Sequence, residues 1–313
     1  MAKIEPAVMT MEFTIPETTA PQYIDISHCA SVVNRRFYRQ GLNWAVAGFS
    51  IVAANALQSG LVTISKLPNT WCLSASWMKA FSSWKRQQDE ALEDSDKESV
   101  KGKYNDFKIY ADFEHQQSPA PFSLLPVDRL HAPYLPSEEW AYSNVHIPND
   151  TAPGATTSAF LHAVGADDPA VPPTSYGIIN AYADSRAVPQ SPAPDTGGFT
   201  AVTAGLYSSM WDVGDDDTAI ITAAAFRNDE LPYDQLEYPG SALNAPTTEL
   251  VHAFEFNPNS SIPLTYNLGG TNVPCGLLRI DSDNAGAGIP MNLILHLVPG
   301  SHRGYLASKM QDM

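Results

Sequence analysis

LVTISKLPNTWCLSASWMKAFSSWKRQQDEALEDSDKESVKGKYNDFKIYADF, residues 61–113, is the stretch that decides the fold class. From Thr70 onward, apolar and aromatic residues recur at steps of three and four, which predicts a helix at about residues 71–92. A β-rich run precedes this helix. After a charged segment, residues 106–113 alternate between polar and apolar side chains, as in a half-buried strand. The stretch therefore predicts a helix inserted between two strands.

One face of the predicted helix carries three aromatic rings, those of Trp77, Phe81 and Trp84. Its charged residues lie on the rest of the surface. We expect the rings to pack against a barrel wall or against a neighbouring subunit, so the three residues are interface candidates.

Outside this stretch the chain consists of short β-rich runs separated by turn residues. With 25 Pro and 19 Gly, the composition favours many short strands over long helices. Together with the two strands above, we count about fourteen strand candidates. The others are residues 11–15, 23–33, 42–52, 139–148, 156–164, 176–183, 199–206, 217–226, 248–256, 263–267, 275–281 and 291–298. Of these, residues 217–226 fit a short helix equally well.

A linker-like segment, GADDPAVPP at residues 165–173, divides the chain near its middle. About fourteen strands are closer to two eight-stranded barrels than to one. We therefore predict an all-β protein with two jelly-roll barrels in one chain, residues 1–168 and residues 169–313. A single jelly roll with long surface loops remains the alternative.

The charge balance argues against tight binding to a nucleic-acid backbone. The chain carries 18 basic and 34 acidic residues, a net charge of -16, and neither end forms a basic arm. The densest basic cluster contains Arg35, Arg36 and Arg39, which we interpret as a strand end with ion pairs. No strong direct nucleic-acid binding is expected.

The three cysteines, Cys29, Cys72 and Cys275, are odd in number and far apart in sequence. Neither a disulfide framework nor a metal-binding spacing follows from them. They are typical of buried thiols in a reducing compartment. The sequence contains no pattern that predicts a signal peptide or a membrane-spanning segment.

No motif for catalysis is present, and we predict that the protein is not an enzyme. We expect the histidines within strand candidates, His162, His252 and His296, to be hydrogen-bonded structural groups. A carbohydrate-binding or hydrolytic β-sandwich is the alternative from another functional class. It would need convergent carboxylates beside aromatic rings, and only residues 138–140 (EEW) combine them.

Two acidic clusters are weak candidates for a calcium site, because calcium takes several oxygen ligands from a loop. The first contains Asp212, Asp215, Asp216 and Asp217, and the second contains Asp281 and Asp283. The second begins like an EF-hand loop, but its twelfth position is Asn292 instead of the bidentate Glu. Solvated acids in turns are the favoured interpretation, and no other cofactor is predicted.

The segment NDELPYDQLEYPG, residues 228–240, is rich in aromatic residues and proline, which indicates a loop packed against another surface. Tyr233 and Tyr238 are its interface candidates.

Five runs in the chain resemble a family of viral proteins. They are NRRFYRQGLNWAVAGF (residues 34–49), TISKLPNTW (63–71), KGKYNDFKI (101–109), RNDELPYDQLEYPG (227–240) and LILHLVPGSHRGY (293–305). The runs are similar to major capsid proteins of small icosahedral, tailless single-stranded DNA viruses, in particular lipid-containing phages of Flavobacterium. The similarity spans most of the chain.

This resemblance implies a structural protein of the virion, made in the host cytoplasm. It implies two upright jelly rolls, homotrimers that imitate hexamers, and a capsid lattice over an internal lipid membrane. Minor capsid and vertex proteins are the other expected partners.

Overall fold

The computed structural model describes residues 6–16, 18–53, 60–95, 106–117, 123–135, 140–148, 156–187, 237–244, 247–256, 264–282 and 291–310. Within these residues the chain is mostly β-sheet with few helices, in agreement with the predicted all-β class. The strand candidates at residues 199–206 and 217–226 lie outside the described residues.

The first sheet combines strands from both ends of the chain. Its order is β1 (Thr10–Ile15), β11 (Met291–Leu297), β3 (Leu42–Ala53) and β9 (Leu264–Val273), and β14 (Ala307–Lys309) also pairs with β3. All of these pairs are antiparallel. Both β11 and β9 pair with Ile51, so they flank β3 on opposite sides. The much shorter β14 pairs with Leu42, beyond the end of β11.

The second sheet has the same mixed origin. Its order is β2 (Gln22–Asp25), β10 (Leu277–Ser282), β4 (Gly60–Lys66) and β8 (Glu249–Phe256), again antiparallel throughout. From β1 to β11, the strands of these two sheets alternate between them along the chain, except that β4 and β8 are neighbours in the second sheet. Strands on both sides of the division predicted at Asp168 therefore share both sheets.

Apolar side chains from both sheets form one core between them. Phe13, Ile51 and Leu293 from the first sheet are fully buried in the same cluster as Ile64 and Ile280 from the second. In β11 every second residue is buried, which is the period of two of a strand with one face inward. We call this pair of packed sheets the sandwich.

Between β4 and β8 the chain makes a long excursion, residues 67–248, which we call the insertion. Its described elements are α2 (Trp71–Asp94), α3 (Phe113–Gln117), β5 (Asn144–Pro148), β6 (Thr156–His162), β7 (Ser175–Gly177) and α4 (Ile178–Ala187). The helix predicted at residues 71–92 is confirmed as α2. The Thr70 hydroxyl caps it by accepting a hydrogen bond from the Leu73 N–H. Strands β5, β6 and β7 form a small separate sheet.

Two predicted strands are wrong where the chain turns into a helix. After β2, α1 (Ile26–Asn34) replaces the strand predicted at residues 23–33. The Asp25 carboxylate starts α1 by accepting from the N–H groups of Ser27 and His28. In the same way, the strand predicted at residues 176–183 ends after β7 and continues as α4.

The half-buried strand predicted at residues 106–113 is also wrong. Among the described residues, this segment pairs only through a single bridge between Tyr110 and His162. The polar residues Lys108 and Asp112 are buried like the apolar ones between them, because each has a charged partner. The segment therefore buries both of its faces.

The insertion leaves the sandwich after β4 and returns to it at β8 at the same end, because the end of β4 pairs with the start of β8. The C-terminal residues reach α2, where the Ser74 hydroxyl donates to the Met310 carbonyl oxygen at 2.5 Å. The Gln40 side chain, just before β3, hydrogen-bonds both backbone groups of Ile109 in the insertion. A short hairpin of β12 (Pro299–Gly300) and β13 (Gly304–Tyr305) completes this end. None of the described helices is long and apolar enough to cross a membrane.

Candidate subunit-contact surfaces

A loop of the insertion, residues 123–127, covers an open edge of the sandwich. Strands β1 and β2 are the outermost strands of their sheets on this side. The Leu124 N–H donates to the Tyr23 carbonyl oxygen in β2 at 2.6 Å. The Val127 N–H donates to the Glu12 carbonyl oxygen in β1 at 2.8 Å. The insertion thus satisfies backbone groups that two edge strands would otherwise expose.

The same loop ends in a turn that exposes two leucines. Asp128 organises it: its carboxylate accepts from the N–H groups of Leu130 and Ala132. Leu130 is 79% exposed and Leu135 is 68% exposed. Arg35, at the end of α1, donates to the Leu135 carbonyl oxygen and fixes the far side of the turn. We call residues 128–135 the Asp128 turn; its local hydrogen bonds hold apolar side chains in solvent.

A second ordered loop, residues 165–174, also presents an apolar side chain. The Asp168 carboxylate accepts from the Ala170 N–H and from the N–H and hydroxyl of Thr174. These hydrogen bonds lower the pKa of Asp168. Val171 at the tip is 96% exposed. This Asp168 loop is therefore fixed locally in the same way as the Asp128 turn, although its composition predicted a linker.

Residues 237–244 lie beside the Asp168 loop. The Gly165 N–H donates to the Gly240 carbonyl oxygen at 2.8 Å. Gly240 has a positive φ of 89°, and a Cβ there would lie 2.9 Å from side-chain atoms of Ile179 and Val164, so only glycine fits. The neighbouring Leu243 is 67% exposed. Two of the large exposed apolar side chains thus project from adjacent loops.

A buried charged cluster anchors the insertion to the sandwich. In β10, the Arg279 guanidinium lies 2.7 Å from the carboxylates of both Asp112 and Glu114. The Tyr23 hydroxyl donates to Asp112 at 2.6 Å. Burial, together with the Asp112 charge, raises the pKa of Tyr23 above its ordinary value, so the hydroxyl stays a donor. His115 stacks on the Tyr23 ring, and burial lowers its pKa to about 4.

Asp25 joins three segments at a fully buried position. Besides capping α1, its carboxylate accepts from the Gln40 amide at 3.0 Å and from the Trp140 indole N–H at 3.1 Å. Burial raises its pKa to about 6 even though these hydrogen bonds act in the opposite direction. The carboxylate therefore holds the start of α1, the approach to β3 and the insertion together.

The aromatic face of α2 packs within the chain. The Trp77 and Phe81 rings stack at 5.3 Å between centroids, and Phe107 lies edge-on to both. Trp84 also contacts Phe107, and Trp77 and Trp84 are both buried. These interface candidates contact the insertion itself and the approach to β3, where a Cβ on Gly41 would overlap the Trp77 ring.

Tyr238 is also buried inside the chain, edge-on to Trp71 at 5.4 Å. Tyr233 lies outside the described residues.

Of the calcium candidates, only Asp281 lies in the described residues, and it forms an ion pair with Arg279 at 3.0 Å. Asp212, Asp215, Asp216, Asp217 and Asp283 lie outside them. No group of three or more His, Cys, Asp or Glu side chains suited to a metal ion occurs in the part of the chain that the structure describes.

The strand histidines are hydrogen-bonded, as predicted. His162 contacts the Ser175 hydroxyl at 2.7 Å, His252 the Gly269 carbonyl oxygen at 2.9 Å, and His296 the Ser50 hydroxyl at 3.0 Å. Burial lowers the pKa of His162. The three cysteines are free and buried, also as predicted.

The predicted basic cluster lies between α1 and β3. None of the ion pairs between described residues involves Arg35 or Arg39.

Comparison with known proteins identifies no relative: no family model, curated protein or solved structure matches the chain.

Proposed function

We propose that the protein is a structural coat protein that assembles into an icosahedral shell through a single jelly roll, with the insertion forming its large surface loops. The observation that carries this proposal is the strand order. When the eight sandwich strands are counted along the chain, the sheets have the orders 1-8-3-6 and 2-7-4-5. This is the arrangement of a jelly roll, a fold used by viral capsid proteins and also by lectins and cupins.

The pairings favour the single-barrel alternative over the predicted double barrel. All eight sandwich strands are needed for one jelly roll, and they come from residues 10–66 and residues 249–297. The other described strands are β5 to β7, β12 and β13, and β14, which extends the first sheet. Two barrels at residues 1–168 and 169–313 stay a prediction that these pairings do not support.

The exposed apolar side chains supply a reason for self-association. Leu130, Leu135, Val171 and Leu243 project from loops fixed by hydrogen bonds, so little conformational freedom is lost when a partner covers them. Exposed apolar residues on rigid loops are typical of protein contact sites. We propose the Asp128 turn and the Asp168 loop as contacts between copies of the chain.

Homotrimers, minor capsid and vertex partners, an internal membrane and a place in the virion follow from the sequence resemblance alone. They are retained as parts of the proposal that the assembled particle must test.

The proposal is tested by following assembly in solution. Size-exclusion chromatography with light scattering and negative-stain electron microscopy should reveal oligomers and closed shells. Leu130→Ser with Leu135→Ser should reduce assembly without lowering the urea midpoint of unfolding. Leu61→Ser, at a strand residue that is 44% exposed, is the matched control and should assemble normally. A strict monomer at micromolar concentration, with no shells, would overturn the proposal.

A further inference from the structure

Beside α2 lies a cavity of about 480 Å³ that combines aromatic rings with positive charges. This volume is within the usual range for small-ligand sites. The rings in its wall are those of Phe37, Trp77, Phe81 and Phe107, and the cations are Arg39, Arg303 and Lys309. The remaining lining residues are Gly41, Leu42 and His302. We call this cavity the basic pocket.

Its charge differs sharply from that of the chain. Acidic residues outnumber basic ones by 34 to 18 overall, yet the described residues that line the basic pocket include three cations and neither Asp nor Glu. None of the ion pairs between described residues involves Arg39, Arg303 or Lys309. Three cations that form no ion pair with a described carboxylate favour an anionic ligand, because such a ligand neutralises them together.

The cations come from three separate segments that the fold holds in place. Arg303 lies in the turn between β12 and β13 with a positive φ of 49°. Its side chain donates to the Phe37 carbonyl oxygen, and its own carbonyl oxygen accepts from the Tyr38 hydroxyl. Lys309 lies in β14, opposite Leu42. The strained backbone at Arg303 is thus fixed from both sides, as is common at binding sites.

The rings give the pocket a second property that a simple anion site does not need. Trp77 and Phe81 stack nearly in parallel, at 8° between planes, and Phe107 closes one side of them. Phe37 is 45% exposed at the rim. Aromatic faces beside cations are the combination by which proteins bind single-stranded nucleic acid, with bases stacked on rings and phosphates near Lys or Arg.

We propose that the basic pocket binds a nucleotide unit, with the base against the aromatic wall and the phosphate between Arg39, Arg303 and Lys309. Both a free nucleotide and a single-stranded nucleic acid carry this chemistry. The assignment does not depend on shell formation. This assignment differs from the expectation, based on net charge, of no strong nucleic-acid binding. The net charge does not reveal the pocket, because its cations come from the two ends of the chain and meet only after folding.

Fluorescence anisotropy with a labelled oligothymidylate, on the full chain at low salt, tests the proposal. Arg39→Gln should weaken binding about fivefold, as expected for one exposed ionic contact. It should also reduce the slope of log affinity against log salt by about 0.7, the value for one phosphate contact on a single strand. Arg86→Gln removes the same charge from a position on α2 that is 81% exposed and outside the pocket lining, and it should change neither quantity.

Phe37→Leu tests the stacking contribution and should weaken binding about tenfold, because one stacked base contributes about 1 to 3 kcal/mol. Urea unfolding of each variant separates lost binding from lost structure. Competition by thymidine monophosphate would identify a free nucleotide as sufficient. Failure of the mononucleotide to compete, with the oligonucleotide bound, would identify the strand as the ligand.

Three results would overturn the assignment: no binding of the oligothymidylate at low salt, equal losses in Arg39→Gln and Arg86→Gln, or equally effective competition by polyglutamate. Electron microscopy of the same wild-type preparation reports assembly separately, so a failure to bind is distinguishable from a failure to form shells.

Discussion

Different kinds of contact stabilise the sandwich and attach the insertion to it. The sandwich buries alternate apolar side chains between two sheets, and its core cluster is almost entirely aliphatic and aromatic. The insertion is attached to it by a second apolar cluster, which joins Tyr23 and Leu277 to side chains of the insertion, and by polar groups that are wholly or partly buried, among them Asp25, Asp112 and Arg279. The first region therefore depends on packed volume, whereas the attachment of the second depends on packing together with satisfied hydrogen bonds and paired charges. Substitutions in the two regions should have different signatures.

The largest effect is expected in the sandwich. Leu295→Ala removes a fully buried side chain from β11 and should lower the free energy of unfolding by about 2 to 5 kcal/mol, through lost burial and the cavity left behind. Urea denaturation measures this. The same replacement at Leu61, which is 44% exposed in β4, should cost less than about 1 kcal/mol. Similar losses at both positions would contradict the assignment of the core.

Removing Arg279, the cation of β10 that pairs with the insertion, should cost nearly as much. Arg279→Met leaves the Asp112 carboxylate, 8% exposed, without its charged partner, and we expect a loss of about 3 kcal/mol. Arg86→Met breaks an exposed pair with Glu90 on α2 and should cost at most about 0.5 kcal/mol. Limited proteolysis should show faster cleavage of the insertion in Arg279→Met. Uniform cleavage across the chain would show that this charged cluster does not anchor the insertion.

Asp25 and His115, two buried groups where the insertion meets the sandwich, should make the free energy of unfolding depend on pH in opposite directions. Burial raises the pKa of Asp25 to about 6, so folded chains hold a proton there that unfolded chains release above pH 4. Its contribution to stability is therefore present at about pH 4 and is lost as the pH rises through 6. The difference in unfolding free energy between wild type and Asp25→Asn should fall by roughly 2 to 3 kcal/mol across that window.

His115 gives the opposite sign. Burial lowers its pKa to about 4, so the unfolded chain takes up a proton below about pH 6.5 that the folded chain rejects. Its contribution is lost as the pH falls from about 6.5 to 4, and His115→Gln should remove that loss. Denaturation curves of both variants against wild type at several pH values measure the two effects. A common sign would show that one of these groups is not buried as described.

The smallest effect concerns the start of α2. Thr70→Ala removes the hydroxyl that caps this helix and should cost about 1 kcal/mol. Thr70→Ser retains the cap and should unfold at nearly the wild-type urea concentration. A full loss in Thr70→Ser would mean that the methyl group, not the hydroxyl, stabilises the helix start.

The difference between the sandwich and the insertion also explains which parts of the fold the sequence could predict. For the sandwich strands and for α2, the sequence pattern was sufficient to predict the type of element, because burial of one face dictates the spacing of apolar residues. The pattern failed at Asp25, where a side-chain cap turns a strand into α1, and at Lys108 and Asp112, where charges are buried with partners distant in sequence. The order of strands was not predictable either, because pairing between β1 and β11 joins opposite ends of the chain.

The surface residues were missed for a related reason. Leu130 and Val171 lie in segments whose composition indicates loops, and their exposure depends on turns organised by Asp128 and Asp168. The local signal is an Asp two residues before Leu130 and three residues before Val171. The aromatic residues of α2 were the more conspicuous candidates, yet they pack within the chain.

A symmetry-resolved electron-microscopy map of the assembled particle tests the central claim most directly. The account predicts a closed shell in which each chain contributes one eight-stranded barrel, with β1 beside β11 and the insertion at one end. Two barrels per chain, divided near Asp168, or the absence of any closed particle, would contradict it.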